Sequence, residues 1–133
     1  MAIILDTDVI IKGEKGNFDL IAWLDGQTGQ DLEIAAITVA ELWHGIERAD
    51  AQHRAKRERY LRTIVERLDP IPYTEITALI HARLWAELES SGNLIGAHDM
   101  ILASTALERD SAVATFNKRH FTLVPGLRVI EPK

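Results

Sequence analysis

The sequence predicts an α/β fold in which helices sandwich a parallel sheet. Three observations carry that reading. Short apolar runs alternate with helical periods along the chain, as in strand–helix–strand units. Between the runs, apolar residues recur at i, i+3, i+4 and i+7. No linker or internal repeat interrupts the series, so the 133 residues make one domain, residues 1–133.

Ala2–Leu5 is the first strand candidate, and it ends in two carboxylates, Asp6 and Asp8. Leu32–Ile37 is the second strand. Val39, Leu42, Trp43 and Ile46 follow as a one-faced helix, and Leu61, Ile64, Val65 and Leu68 repeat that spacing in another. Ile71–Tyr73 reads as the third strand. Ile76, Leu79, Ile80, Leu84 and Leu88 predict a third helix, stopped by Gly92-Asn93. A fourth helix opens near Asp99 and turns Leu102, Ala103 and Ala106 inward. Ser111–Thr115 is the fourth strand, and Pro125-Gly126 turns the chain into the fifth, Leu127–Ile130. Trp23, Trp43 and Trp85 sit at helical apolar spacings and read as core or interface.

Composition narrows the function classes. The N-terminal apolar run is cut by Asp6 and has no Lys or Arg before it, so neither a signal peptide nor a membrane span is expected. The absence of cysteine excludes disulfides and thiolate metal sites and points to a cytoplasmic protein. Twenty acidic against fifteen basic residues give a net charge of −5, which argues against a general positive field for nucleic acid. One stretch is locally basic. Between Arg48 and Arg62 lie six basic residues, Arg57 and Arg59 among them, and two acidic ones. It is either a solvated helix face with i,i+4 ion pairs or a surface that meets phosphate or an acidic partner.

In a parallel sheet, ligands sit beyond the carboxyl ends of the strands. Asp6 and Asp8 follow the first strand, Glu41 lies one turn into the helix after the second, Asp99 opens the fourth helix and Asn117 follows the fourth strand. Each has an ordinary explanation alone. Asp6 suits an Asx-turn, and Thr38-Val-Ala-Glu41 matches a capping box. Asp99 complements a helix dipole, and Asn117 is a turn former. Together they conflict, because two unit charges about 4 Å apart repel by about 4 kcal/mol at an effective dielectric of 20. A cation resolves the conflict, and oxygen ligands select a hard ion, Mg²⁺ or Mn²⁺. That apparatus suits phosphodiester hydrolysis. His44, His53, His81, His98 and His120 form no H-x-x-x-H pair, and no phosphate-loop or dinucleotide motif is present.

These residues carry a resemblance. The segments "IILDTDVII", "ITVAELWHGIERA" and "LIGAHDMILASTALERDSAVATFNKRHFTLVPGLRVIEP" together resemble the PIN-domain family, and within it the VapC-like toxins of bacterial toxin–antitoxin pairs. The resemblance implies a single Rossmann-like PIN domain with a parallel sheet of four to five strands. It assigns the catalytic and metal-site positions to Asp6, Glu41, Asp99 and Asn117. Thr7 and Thr115 match supporting hydroxyl positions, with Asp8 beside them as a supporting or substrate-positioning residue. Two positions depart from the family pattern. Asp8 stands where many relatives carry Asn or Ser, and His120 stands where a further Asp is common, which leaves that corner to Asn117. The implied activity is that of a Mg²⁺-dependent endoribonuclease, with Mn²⁺ as a substitute and RNA as substrate. The implied partners are a VapB-like antitoxin that inhibits it and a second copy in a homodimer, extended in a larger toxin–antitoxin assembly.

Two other classes compete. A signalling receiver needs a phospho-accepting Asp after its third strand and a Lys after its fifth, whereas Asp69 precedes its strand and Lys133 is the last residue. A catalytically silent docking module would leave the acid set without a purpose.

Overall fold

The structure is a computed structural model that describes residues 1–133. Five strands, β1 (Ala2–Leu5), β2 (Asp31–Ala35), β3 (Asp69–Ile71), β4 (Ala112–Ala114) and β5 (Val129–Ile130), form one sheet in the order β3-β2-β1-β4-β5. Every pairing is parallel. Seven helices connect them: α1 (Thr7–Glu14), α2 (Leu20–Asp25), α3 (Ala36–Arg48), α4 (Ala51–Val65), α5 (Glu75–Ser91), α6 (Ala97–Arg109) and α7 (Lys118–Phe121). The expected α/β class and parallel sheet are therefore present.

Several boundaries differ from the sequence reading, for local reasons. The second strand ends at Ala35, where its partner β3 ends, and Ile37 already belongs to α3. β3 begins two residues early, at Asp69, because it is an edge strand that tolerates Pro70. The fourth and fifth strands are shorter than expected, at Ala112–Ala114 and Val129–Ile130. Helices α1, α2 and α7 have 8, 6 and 4 residues, too few to show a repeating apolar stripe. In α5 the expected inward face is rotated. Thr77, Leu84 and Leu88 are buried, while Ile76 and Leu79 are 63% and 65% exposed. Thr77 sets that rotation, since its hydroxyl completes a capping box with Thr74 and donates to Glu108 of α6. Gly92 ends α5 in the left-handed conformation, as its position predicted.

Side-chain alternation along the strands feeds two cores. Ile3 and Leu5 of β1, Ile34 of β2 and Ala114 of β4 face one side, with Leu42, Ile46, Leu61 and Ile64 from α3 and α4. Ile4, Ala35 and Val113 face the other, with Leu84, Leu88 and the small α6 residues Ala103 and Ala106. In the middle of β2 the fully buried Glu33 accepts from Arg109 and from the Ser111 hydroxyl, which ties β2 to the end of α6.

Candidate metal centre

From the central strand β1, the chain first moves to β2 and β3 on one side, then crosses to β4 and β5 on the other. The carboxyl ends of β1 and β4 therefore flank the topological switch point, where an open α/β sheet leaves a crevice. The candidate residues lie on the elements around this point.

Asp6 is the N-cap of α1 and only 7% exposed. Its Oδ1 accepts from the Thr7 backbone N–H at 2.8 Å, and its Oδ2 from the Thr115 hydroxyl at 2.9 Å. Asp8, in the first turn of α1, accepts from the Phe116 N–H at 3.2 Å. Glu41 comes from α3. Its Oε1 accepts from the Thr7 hydroxyl at 2.7 Å, and its Oε2 lies 3.2 Å from His98 Nδ1. Asp99, in the first turn of α6, has Oδ2 at 3.0 Å from His120 Nδ1. That nitrogen is also 3.1 Å from the Asn117 side-chain amide. Thr115 serves twice, since its Oγ1 also accepts from the Asn117 N–H at 2.9 Å.

The capping-box reading of Thr38 and Glu41 is overturned. Helix α3 starts at Ala36 with Ala35 as an N-cap that makes no side-chain bond, so Thr38 lies inside the helix with its buried hydroxyl unpartnered. Glu41 is thereby free to face α1 and α6.

The electrostatics record the crowding. Burial, then the negative charge of Asp8, push the Asp6 carboxyl up to about 7, with Asp99 adding to the rise. Bonds from Thr115 and Thr7 offset part of it. Asp8 is also raised, first by burial, with the Phe116 N–H and Lys12 opposing and Asp99 contributing. Asp6, Asp8 and Asp99 thus feel one another's charge, although 91 residues separate Asp8 from Asp99 in sequence.

Whether these residues suit a divalent ion can be judged from their donors. As the side chains stand, no three His, Asp or Glu groups close on one point as a ready-made ligand set. The carboxylates are tied instead to hydroxyls and imidazoles. In kind they fit: three mutually repelling carboxylates, a fourth linked through Thr7, and an amide side chain at one edge make an oxygen-rich set for a hard cation.

His98 and His120 reach the acid cluster; the sequence marks the His120 position as a departure from the family's Asp and reads His98 as no ligand. Their partners lie 57 and 21 residues away. The signals for His120 are its alignment with the family's further Asp and its position three residues beyond Asn117 at a helical turn.

The basic stretch lies on α4, apart from the cluster. Arg57 donates to both Glu14 oxygens and to the Gly45 carbonyl, and it lines a groove of about 510 Å³ with Ile11, Lys15 and Tyr60. Arg59 is exposed and forms no ion pair.

Comparison with known proteins agrees with this architecture. The PIN domain family model matches residues 3–127. "VapC ribonuclease Y4jK" of Sinorhizobium fredii is 34% identical, with 98% of this chain and 96% of that protein covered. "tRNA(fMet)-specific endonuclease VapC" of Salmonella typhimurium is 31% identical over 72% of this chain and 71% of its own length. The solved structure of DNA-bound VapBC from Salmonella typhimurium superimposes with a TM-score of 0.89 at 26% identity, covering 98% of each chain.

Proposed function

The chain belongs to the PIN-domain family and to its VapC-like group, and from that premise we propose that it is a Mg²⁺-dependent endoribonuclease, the toxin of a VapBC-type pair. We assign Asp6, Glu41, Asp99 and Asn117 as the groups that hold the ion and act in catalysis. Thr7, Thr115 and Asp8 act as their supports. The observation that carries this reading is the convergence of acids at the switch point, where burial first, and then the charges of Asp8 and Asp99, raise the Asp6 carboxyl to about 7.

A bound divalent ion supplies charge neutralisation on the phosphoryl oxygens and acidifies water at neutral pH. The chain's own residues supply position. Thr115 and the Thr7 N–H fix both oxygens of Asp6. The Thr7 hydroxyl orients Glu41, so the start of α1 sets two acids at once. Substrate phosphate meets these groups at the crevice, while surrounding loops read the RNA itself. A VapB-like antitoxin inhibits the toxin by covering that crevice, and a second copy of the chain completes a homodimer.

The test is cleavage of RNA, with initiator tRNA and total RNA as separate substrates, by wild type and by the Asp6→Asn and Asp99→Asn variants. Each substitution is expected to lower the rate by at least about a hundredfold, and chelation to abolish it. Asp6→Asn removes a destabilised charge while leaving an oxygen toward Thr7, so its loss of activity would not reflect unfolding. Cleavage that survives either substitution, or excess chelator, overturns the mechanism.

A further inference from the structure

One corner of the acid cluster presents a nitrogen. His120 Nδ1 stands 3.0 Å from Asp99 Oδ2 and 3.1 Å from the Asn117 side-chain amide nitrogen. Adjacent ligands of an octahedral ion at about 2.1 Å are about 3.0 Å apart. The imidazole and the carboxylate, hydrogen-bonded to each other as they stand, are at a separation that two neighbouring ligands keep once the ion displaces the shared proton to solvent. Asn117 can add its oxygen by an amide flip, since the two ends of the amide are interchangeable in shape.

The local fold presents His120 firmly. It sits on α7, whose next residue, Phe121, is fully buried in the second core. The His120 side chain itself is 46% exposed, which leaves the ring room to turn. His98 is placed differently. It is 57% exposed and 3.2 Å from Glu41, whose other oxygen is already held by Thr7.

Resting on the metal-dependent reading above, the geometry points to His120 as a direct nitrogen ligand of the divalent ion, beside Asp99, giving the site a preference for Mn²⁺ over Mg²⁺. Mg²⁺ favours all-oxygen surroundings, whereas Mn²⁺ lies above it in affinity for imidazole nitrogen. A histidine here takes over the corner that the sequence reading left to Asn117.

The experiment is Mn²⁺ titration of the full chain followed by continuous-wave and pulsed electron paramagnetic resonance. It compares wild type with His120→Gln, His120→Asp and His98→Gln. Bound Mn²⁺ should show directly bonded ¹⁴N coupling in wild type and His98→Gln, and none in either His120 variant. Mn²⁺ affinity should fall about tenfold or more in His120→Gln, and His120→Asp should shift the preference back toward Mg²⁺. Mn²⁺ bound to wild type without nitrogen coupling, or coupling that survives His120→Gln, overturns the ligand assignment and leaves the metal-dependent nuclease standing. Absence of Mn²⁺ binding in wild type overturns both.

Discussion

Asp6 meets two opposing demands. Capping α1 and accepting from Thr115 favour a charged carboxylate, while burial beside Asp8 and Asp99 opposes it and wins, raising the group from 3.8 to about 7. The folded state binds the proton more tightly than the unfolded chain, so the stabilisation is complete below about pH 4 and is lost as pH rises to about 7. Without metal, wild type should lose stability between about pH 5 and 7 more steeply than Asp6→Asn, by up to about 1.4 kcal/mol per pH unit. Saturating Mn²⁺ should remove that difference, because the ion displaces the proton. Urea unfolding at several pH values measures both slopes, and equal slopes without metal would contradict the raised carboxyl. The acids at strand ends were legible in the sequence because the carboxyl end of a parallel strand is a recognisable place. The contacts of the histidines were not, since their partners Glu41 and Asp99 reach them only through tertiary packing, although the position of His120 was marked by its departure from the family's Asp.

At the scale of the element, α1 has the tightest requirement, because it starts at the acid cluster and packs against both α2 and α4. Gly13 allows that approach. A Cβ there would lie 2.6 Å from the Tyr60 hydroxyl and 2.7 Å from Leu20 Cβ. Tyr60 can swing away, but Leu20 is buried in the core and cannot. Glycine to alanine in an exposed helix gains about 1 kcal/mol of helix propensity, whereas overpacking costs about 1–3 kcal/mol. Gly13→Ala should therefore destabilise by about 1 kcal/mol or more in denaturant unfolding, and a neutral or stabilised variant would show that α2 yields. The same helix illustrates what the sequence withheld. The long amphipathic helices α3, α4 and α6 and all five strands were readable from period and punctuation. Helix α1 was not, because only Val9 and Ile10 of its eight residues are buried.

On the scale of the whole molecule, the two cores on opposite faces of the sheet account for the buried apolar residues except Ile71 and Ala112, and the surface left over is informative. The periodicity of α5 was legible but its orientation was not. The period of a stripe does not say which of two apolar faces the neighbouring helix will cover, and here α6 covers the face of Thr77, Leu84 and Leu88. Tyr73, Ile76 and Leu79 are left 45%, 63% and 65% exposed at three-residue spacing. Exposed large side chains so aligned mark a surface for association, and this is where the proposed homodimer would place its contact. A stable dimer needs about 800 Å² from each partner, so other residues must contribute, but a charge in the middle of an apolar patch is costly to bury. Leu79→Lys should leave the monomer folded, because the side chain is already in solvent, while shifting the dimer toward monomer in sedimentation velocity at micromolar concentration. A wild-type chain that sediments as a monomer, or a Leu79→Lys variant that dimerises as tightly as wild type, would remove α5 from the interface.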